Sequence, residues 1–266
     1  MIIIGEKINT SIKIVQEAVE QKDKMSIQEI AQKQVEAGAN YLDVNCGTFI
    51  NDEVEKIDWL IQTVQEVVSI PICIDSPNSK AIQAGLKVIK NGKPIVNSIT
   101  GEKVRWDSIV PLVTSYKASV IVLCMDDNGI PENSDERLKV AVRMANELIK
   151  KGVYAEDIYF DPMVEPISTN SLNGLITLES MQKIKKEIPG VHLTCGLSNI
   201  SFGLPTRKII NQAFLVAAII AGLDTAIINP LDKKLMSLVY AAEALAGKDE
   251  YCMEYIAKYR SGFLEG

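Results

Sequence analysis

Along the chain, short apolar runs of strand length alternate with longer stretches whose apolar residues recur every three or four positions. The strand-like runs begin near residues 2, 41, 71, 94, 119, 157, 191 and 225. Between them the helical period is most complete after Ser26, where Ile27, Ile30, Ala31, Gln34 and Val35 share a face. Ser26 and Glu29 read as a capping box that starts this helix, and Gly38 as its stop. Val54, Ile57, Ile61, Val64 and Val68 make a second amphipathic stripe. A third helix is predicted after Asn133, with Glu136 in capping-box position, Leu138, Ala141, Val142, Ala145 and Ile149 inward, and Gly152 at its end. Eight strands alternating with helices predict an α/β fold of the (β/α)8 TIM-barrel type. A doubly wound open sheet also alternates strand and helix, but eight regularly spaced units favour the barrel.

Six of the strand-like runs end in a carboxylate or carboxamide: Asp43 with Asn45, Asp75, Asn97, Asp126, Asp161 and Asn229. One such residue after a strand is ordinarily a turn or cap residue, because its short polar side chain bonds nearby backbone. Asp75 before Ser76-Pro77 and Asp161 before Pro162 fit that reading individually. Together they imply more, because the C-terminal strand ends of a parallel barrel converge on one mouth and would carry these groups as a polar ring. Carboxylates in a partly dry mouth suit a ligand that presents several N–H donors. The segment Ser198 to Arg207, with Gly203 and Pro205, falls just beyond the seventh strand and reads as a loop able to act as a lid.

Composition narrows the chemistry. A chain of 266 residues, 47% of them hydrophobic, can bury one large core, so residues 1–266 are expected to form a single barrel domain. Its formal charge of −6, with no basic block, argues against nucleic acid and anionic membranes as partners. Met1 to Glu6 runs directly into a strand rather than a signal segment, and the apolar stretch Ala213 to Gly222 is too short to span a bilayer. Cys46, Cys73, Cys124, Cys195 and Cys252 include no Cys-x-x-Cys pair, which fits reduced thiols and a cytoplasmic protein. The single histidine, His192, lies inside a strand-like run and reads as packing rather than catalysis. No cluster of Cys and His has metal-ligand spacing, so no metal is expected. Glycine-rich phosphate loops are absent as well.

The ordered set Ile-Gly-Glu-Lys-Ile-Asn at 4–9, Leu-Asp-Val-Asn at 42–45, Cys-Ile-Asp-Ser at 73–76, Val-Asn-Ser at 96–98, Phe-Asp-Pro at 160–162 and Gly-Leu-Ser-Asn-Ile-Ser at 196–201 resembles the pterin-binding barrels. Within them it is most similar to the methyltetrahydrofolate:corrinoid-protein methyltransferases, from Met1 to about Tyr259. The resemblance implies that Asp75, Asn97 and Asp161 hold the pterin ring, with further contacts from Gly196 and Ser198. A 2-amino-4-oxo pterin offers adjacent donors that one carboxylate accepts side by side, while an amide serves the mixed edge. Asn199 matches the asparagine that hydrogen-bonds the reactive N5 atom, which makes it the catalytic candidate, with Asp75 and Asn97 reached through a network. Asp126 departs from the resemblance, since asparagine is more usual there.

The implied activity is methyl transfer between N5 of tetrahydrofolate and the cobalt of a corrinoid, in either direction. Tetrahydrofolate or 5-methyltetrahydrofolate is then a substrate. The corrinoid would reside on a separate protein, because the Asp-x-His-x-x-Gly pattern of many corrinoid modules is missing around His192. A homodimer is also implied. Two alternatives remain at this point: a condensing pterin enzyme of the dihydropteroate-synthase kind, and a non-catalytic folate-binding subunit. The first needs basic residues for a diphosphate where this chain reads Ser198-Asn199-Ile200, and the second has no use for an N5 contact such as Asn199.

Overall fold

The computed structural model describes residues 1–265. Eight parallel strands are hydrogen-bonded in the order β7-β6-β5-β4-β3-β2-β1-β8. They are β1 (Ile2–Asn9), β2 (Tyr41–Asn45), β3 (Ile72–Asp75), β4 (Ile95–Gly101), β5 (Ser119–Asp126), β6 (Ile158–Asp161), β7 (His192–Leu193) and β8 (Thr225–Ile228). All eight arise where the apolar runs place them, in a TIM barrel. β7 is shorter than its apolar run, and the ring closes through a single parallel bridge between Gly196 and Ile227.

Helices α1 (Lys13–Glu20), α2 (Lys24–Glu36), α3 (Glu53–Gln65), α4 (Ser79–Val88), α5 (Lys103–Tyr116), α6 (Ser134–Lys150), α7 (Asn173–Glu187), α8 (Arg207–Ile220), α9 (Lys233–Leu245) and α10 (Met253–Arg260) accompany the strands. α2 begins two residues before Ser26: Asp23 is its cap and accepts from the Ser26 N–H, so Ser26 is the capped residue rather than the cap. In α6 the Asn133 side chain accepts from the Glu136 N–H as the sequence predicts.

Two apolar layers result. The outer one joins strands to helices, and the inner one is a waist of Ile4, Cys73, Ile95, Ile121 and Tyr159 inside the barrel. Strand alternation then determines what lies above that waist. Two residues beyond the inward Ile4, Cys73, Ile95 and Tyr159 come Glu6, Asp75, Asn97 and Asp161. Among the described residues no helix is long and apolar enough to cross a membrane.

Candidate active site

The mouth is assembled by strand parity. Asp75 and Asn97 are register partners on β3 and β4, and Asn45 faces Asp75 from β2. The Asn45 Nδ2 donates to Asp75 Oδ2 at 2.8 Å, and the Asn97 Nδ2 donates to Asp43 Oδ1 at 3.3 Å. Asp43 is buried, and desolvation followed by the neighbouring Asp75 charge raises its carboxyl well above the usual range. Asp75 is also raised by burial, against the opposing effects of the Asn45 hydrogen bond and Arg105. Each acid has its own amide donor, and the proximity of two buried carboxyls disfavours ionising both at once.

Asp161 stands across the mouth at the end of β6. Its Oδ1 accepts from the Met163 N–H at 2.8 Å and its Oδ2 from the Gly196 N–H at 3.4 Å. Burial nevertheless prevails and its pKa is pushed up to about 6. The turn behind it is held by Arg137, whose buried guanidinium donates to the carbonyls of Pro131, Pro162 and Met163 and pairs with Glu165. Arg105 ties the loop after β3 to β4 itself, donating to the carbonyls of Ser76 and Ser98 at 2.7 and 2.6 Å.

Glu6 joins the ring through a local irregularity. The β1–β2 register shifts between Gly5 and Ile8, and the Lys7 N–H is taken instead by Gln34 Oε1 at 2.9 Å. Gln34 reaches this position only because residue 5 is glycine, since a Cβ there would lie 2.6 Å from its Oε1. Glu6 is open to solvent yet ringed by the concave wall, and desolvation within that wall raises its carboxyl. The strand-end reading missed it because Lys7-Ile8-Asn9 continues the strand beyond it. Its parity with Ile2 and Ile4 was the available signal.

A cavity of about 310 Å³ is walled by Glu6, Lys7, Asn9, Asp43, Asp75 and Asn97. A second cavity of about 180 Å³ shares Glu6 and Ile227 with it and extends past Ser198, Lys208, Asn211 and Asn229. Asn229 caps its own turn through the Leu231 N–H. Ser198 and Asn199 sit on a 3-10 turn, Leu197–Ser201, pinned by Arg207, which donates to the Ser198 carbonyl at 2.6 Å and to Ser201 Oγ at 3.0 Å. Asn199 is exposed at the rim, its amide packed over Gly196, where an added Cβ would come within 3.1 Å of Nδ2. No side-chain hydrogen bond joins it to Asp75 or Asn97 among the described residues.

Asp126 does not share the mouth. With Ile121 and Leu123 on the inner side of β5, residue 126 faces outward, where it pairs with Arg143 of α6 and accepts from the Asn128 N–H. The Asn128 backbone hydrogen bond, opposed by burial and aided by Arg143, lowers its carboxyl. It closes a turn. His192 lies at the opposite end of the barrel, stacked on Tyr159 with ring centroids 4.7 Å apart. Among the described residues no group of His, Cys, Asp and Glu has an arrangement able to hold a metal ion.

The family model for pterin binding enzymes matches residues 6–229. Over 265 residues the chain is 37% identical to the methylcorrinoid:tetrahydrofolate methyltransferase of Eubacterium limosum, covering 98% of this chain and 97% of that one. It is 31% identical over 242 residues to the methionine synthase of Mycobacterium leprae (strain TN), covering 86% of this chain and only 20% of that protein. Among solved structures, a Yersinia pestis dihydropteroate synthase with a sulfonamide drug complex superposes with a TM-score of 0.71 at 12% identity, covering 92% of this chain and 94% of that one. A Xanthomonas albilineans dihydropteroate synthase gives 0.68 at 15% identity, covering 92% and 91%. The two synthases share the fold, whereas the family match and the near-full-length relative go further: the chain belongs to the pterin binding enzymes.

Proposed function

We propose that this protein transfers a methyl group between the cobalt of a corrinoid, carried by a separate protein, and the N5 atom of tetrahydrofolate. The observation that carries the proposal is the 37% identity across nearly the whole length of the Eubacterium limosum methylcorrinoid:tetrahydrofolate methyltransferase. The mouth supports it. Asp161 on one side and Asp75 with Asn97 on the other supply acceptors for the pterin's amino and ring N–H donors, with Gly196 and Ser198 against the ring.

Toward folate, the N5 lone pair forms the new N–C bond while the cobalt–carbon bond breaks, its electron pair stays on cobalt, and N5 loses its proton. Such a displacement is governed by alignment, so holding N5 at the rim is the main task of the protein. Asn199 is assigned the hydrogen bond to N5, and its freedom from other side-chain partners leaves it available. Carboxyls raised toward neutrality, Asp161 at about 6 among them, are suited to receive or return a proton near neutral pH. In this reading the protein works in the cytoplasm as a homodimer whose mouths stay open to the corrinoid protein.

A methyl-transfer assay with a methylated corrinoid protein and tetrahydrofolate tests the proposal, with methyltetrahydrofolate and demethylated cobalt as the expected products. Tight folate binding without transfer would instead favour a binding subunit. A second reading, the condensing synthase, has one observation on its side. Lys208 lines the mouth beside Ser198, so a basic group is present although the sequence around Asn199 contains none. Formation of a pteroate from 4-aminobenzoate and a pterin diphosphate would replace the methyl-transfer reading.

A further inference from the structure

Arg105 carries a charge that the site as described leaves without a task. Its fork is spent on neutral groups, the carbonyls of Ser76, Pro77 and Ser98. Arg137 and Arg143 have Glu165 and Asp126 as ion-pair partners. Arg105 has none among the described residues, although it is half-buried and permanently protonated. A cation held in this way acts on the acids nearest to it.

Those acids flank Ser76, the residue after Asp75. The Ser76 carbonyl accepts from Arg105 of α5, while its hydroxyl donates to the buried Glu53 of α3. Asp75 is therefore fixed beside one cation and one acid, neither of which is hydrogen-bonded to it. The other groups around it are Asp43 and Asn45 of β2, Asn97 of β4, and Cys73 beneath it on β3. Glu6 and Lys7 of β1 line the same cavity, and α4 leaves Lys80 exposed to solvent.

Asp43 and Asp75 are not equivalent. Asp43 is the register partner of Cys73 in the apolar waist, whereas Asp75, partnered by Asn45, stands one inward position nearer the mouth. Arg105 opposes the burial that raises Asp75, and Glu53 reinforces it, while no cation acts on Asp43. We infer that Arg105 is a positioning residue that fixes the negative charge of this pair on Asp75, the acid facing the pterin, and leaves the proton on Asp43. The inference rests on the folate reading above and adds to it which of the two acids meets the pterin's donors as a carboxylate.

The test follows the carboxyl carbons of Asp43 and Asp75 across pH by nuclear magnetic resonance in the ligand-free protein, with Asp43→Asn and Asp75→Asn to assign them. In the wild type Asp75 should follow the lower of the pair's two steps and Asp43 the upper. Arg105→Gln should move the Asp75 step to higher pH. Glu53→Gln, which keeps an acceptor for the Ser76 hydroxyl, should move it to lower pH, and it carries the test if Arg105→Gln fails to fold. Arg105→Lys keeps the charge without the fork, so its Asp75 step should stay near that of the wild type. In calorimetry, Arg105→Gln should bind tetrahydrofolate about tenfold more weakly at about pH 7 and recover as pH is raised, whereas a purely structural loss is equal at every pH. The inference is overturned if Asp43 titrates below Asp75, if Arg105→Gln and Glu53→Gln move the Asp75 step in the same direction or not at all, or if Arg105→Lys behaves as Arg105→Gln. These titrations are made without folate, so failure of the wild type to bind tetrahydrofolate would remove the folate reading alone.

Discussion

The two ends of the barrel interior use the same residue types to opposite effect. At the floor, below the apolar waist, Asp157 and Asp224 each have a cation: Asp157 pairs with Lys93 and accepts from Ser119 Oγ at 2.9 Å. Asp224 accepts from Lys185 Nζ at 2.6 Å, from the Leu193 N–H at 2.9 Å, and lies 3.2 Å from His192 Nδ1. Burial opposes the charge on Asp224, but His192, Lys185 and the Leu193 N–H outweigh it and hold the carboxyl below its ordinary range. At the mouth, Glu6, Asp43, Asp75 and Asp161 are all raised by burial, with too few donors to compensate. The floor is electrostatically complete by itself, whereas the mouth is left short of donors that a ligand can provide.

This contrast can be broken in four ways. The largest effect is expected from Asp161→Ala, which should cost about 3 kcal/mol of tetrahydrofolate affinity, roughly a hundredfold, because charge-assisted bonds are lost in a desolvated site. Titration calorimetry showing an unchanged dissociation constant would remove Asp161 from the site. Asp224→Ala should do the reverse, lowering unfolding free energy by about 1–3 kcal/mol in denaturant melts while leaving folate binding intact. If it weakens binding instead, the two ends are not independent.

A smaller change is expected from Asn199→Ala: up to about tenfold in turnover, with little change in folate affinity, as for a hydrogen bond that strengthens only as N5 changes charge. Equal losses in rate and affinity would make Asn199 a binding residue.

The smallest effect is in pH dependence. Asp161 is raised to about 6 from an ordinary 3.8, so the ligand-free protein loses stability as pH rises between those values. Asp161→Asn should therefore gain in melting temperature over the wild type as pH is raised from about 5 to about 8. Asp224 is lowered, so its stabilisation is complete above its ordinary value and lost as pH falls through its depressed one. Parallel pH profiles for Asp161→Asn and Asp224→Asn would show that the mouth and floor do not differ in this way. Folate affinity in the wild type should weaken as pH falls through about 6, because a protonated Asp161 is a poorer acceptor.

The fold was legible because its strands are punctuated by polar ends and its helices carry regular apolar stripes. The polar ring at the mouth was legible in the strand-end residues Asp75, Asn97 and Asp161. It was not legible at Asp126, because Val120 to Cys124 are apolar on both faces and such a run hides which residues point inward. Glu6 was obscured by the irregularity in β1, whose cause, the Gln34 side chain, lies on a different element. Lys208 and Asn211 could not be placed from the sequence, since only the return of α8 over the barrel brings them beside Ser198. The cap at Asp23 was displaced because Asp23 and Ser26 are both good caps, and the helix extends to the earlier one.

The single bridge between Gly196 and Ile227 gives the barrel a zipper end. Between β7 and β8 the backbone ladder shrinks to a long Asp224 N–H to Leu193 carbonyl bond of 3.5 Å at the floor, supplemented by the Asp224 carboxylate on the Leu193 N–H, and to that one bridge at the mouth. A cylinder with one lightly stitched joint breathes along it first, so amide exchange at Gly196 and Ile227 should report opening of the wall before any global unfolding. Because Gly196 also donates toward Asp161, a pterin drawn against that pair would tighten the stitch, and occupancy of the pocket would register as slower breathing of the cylinder.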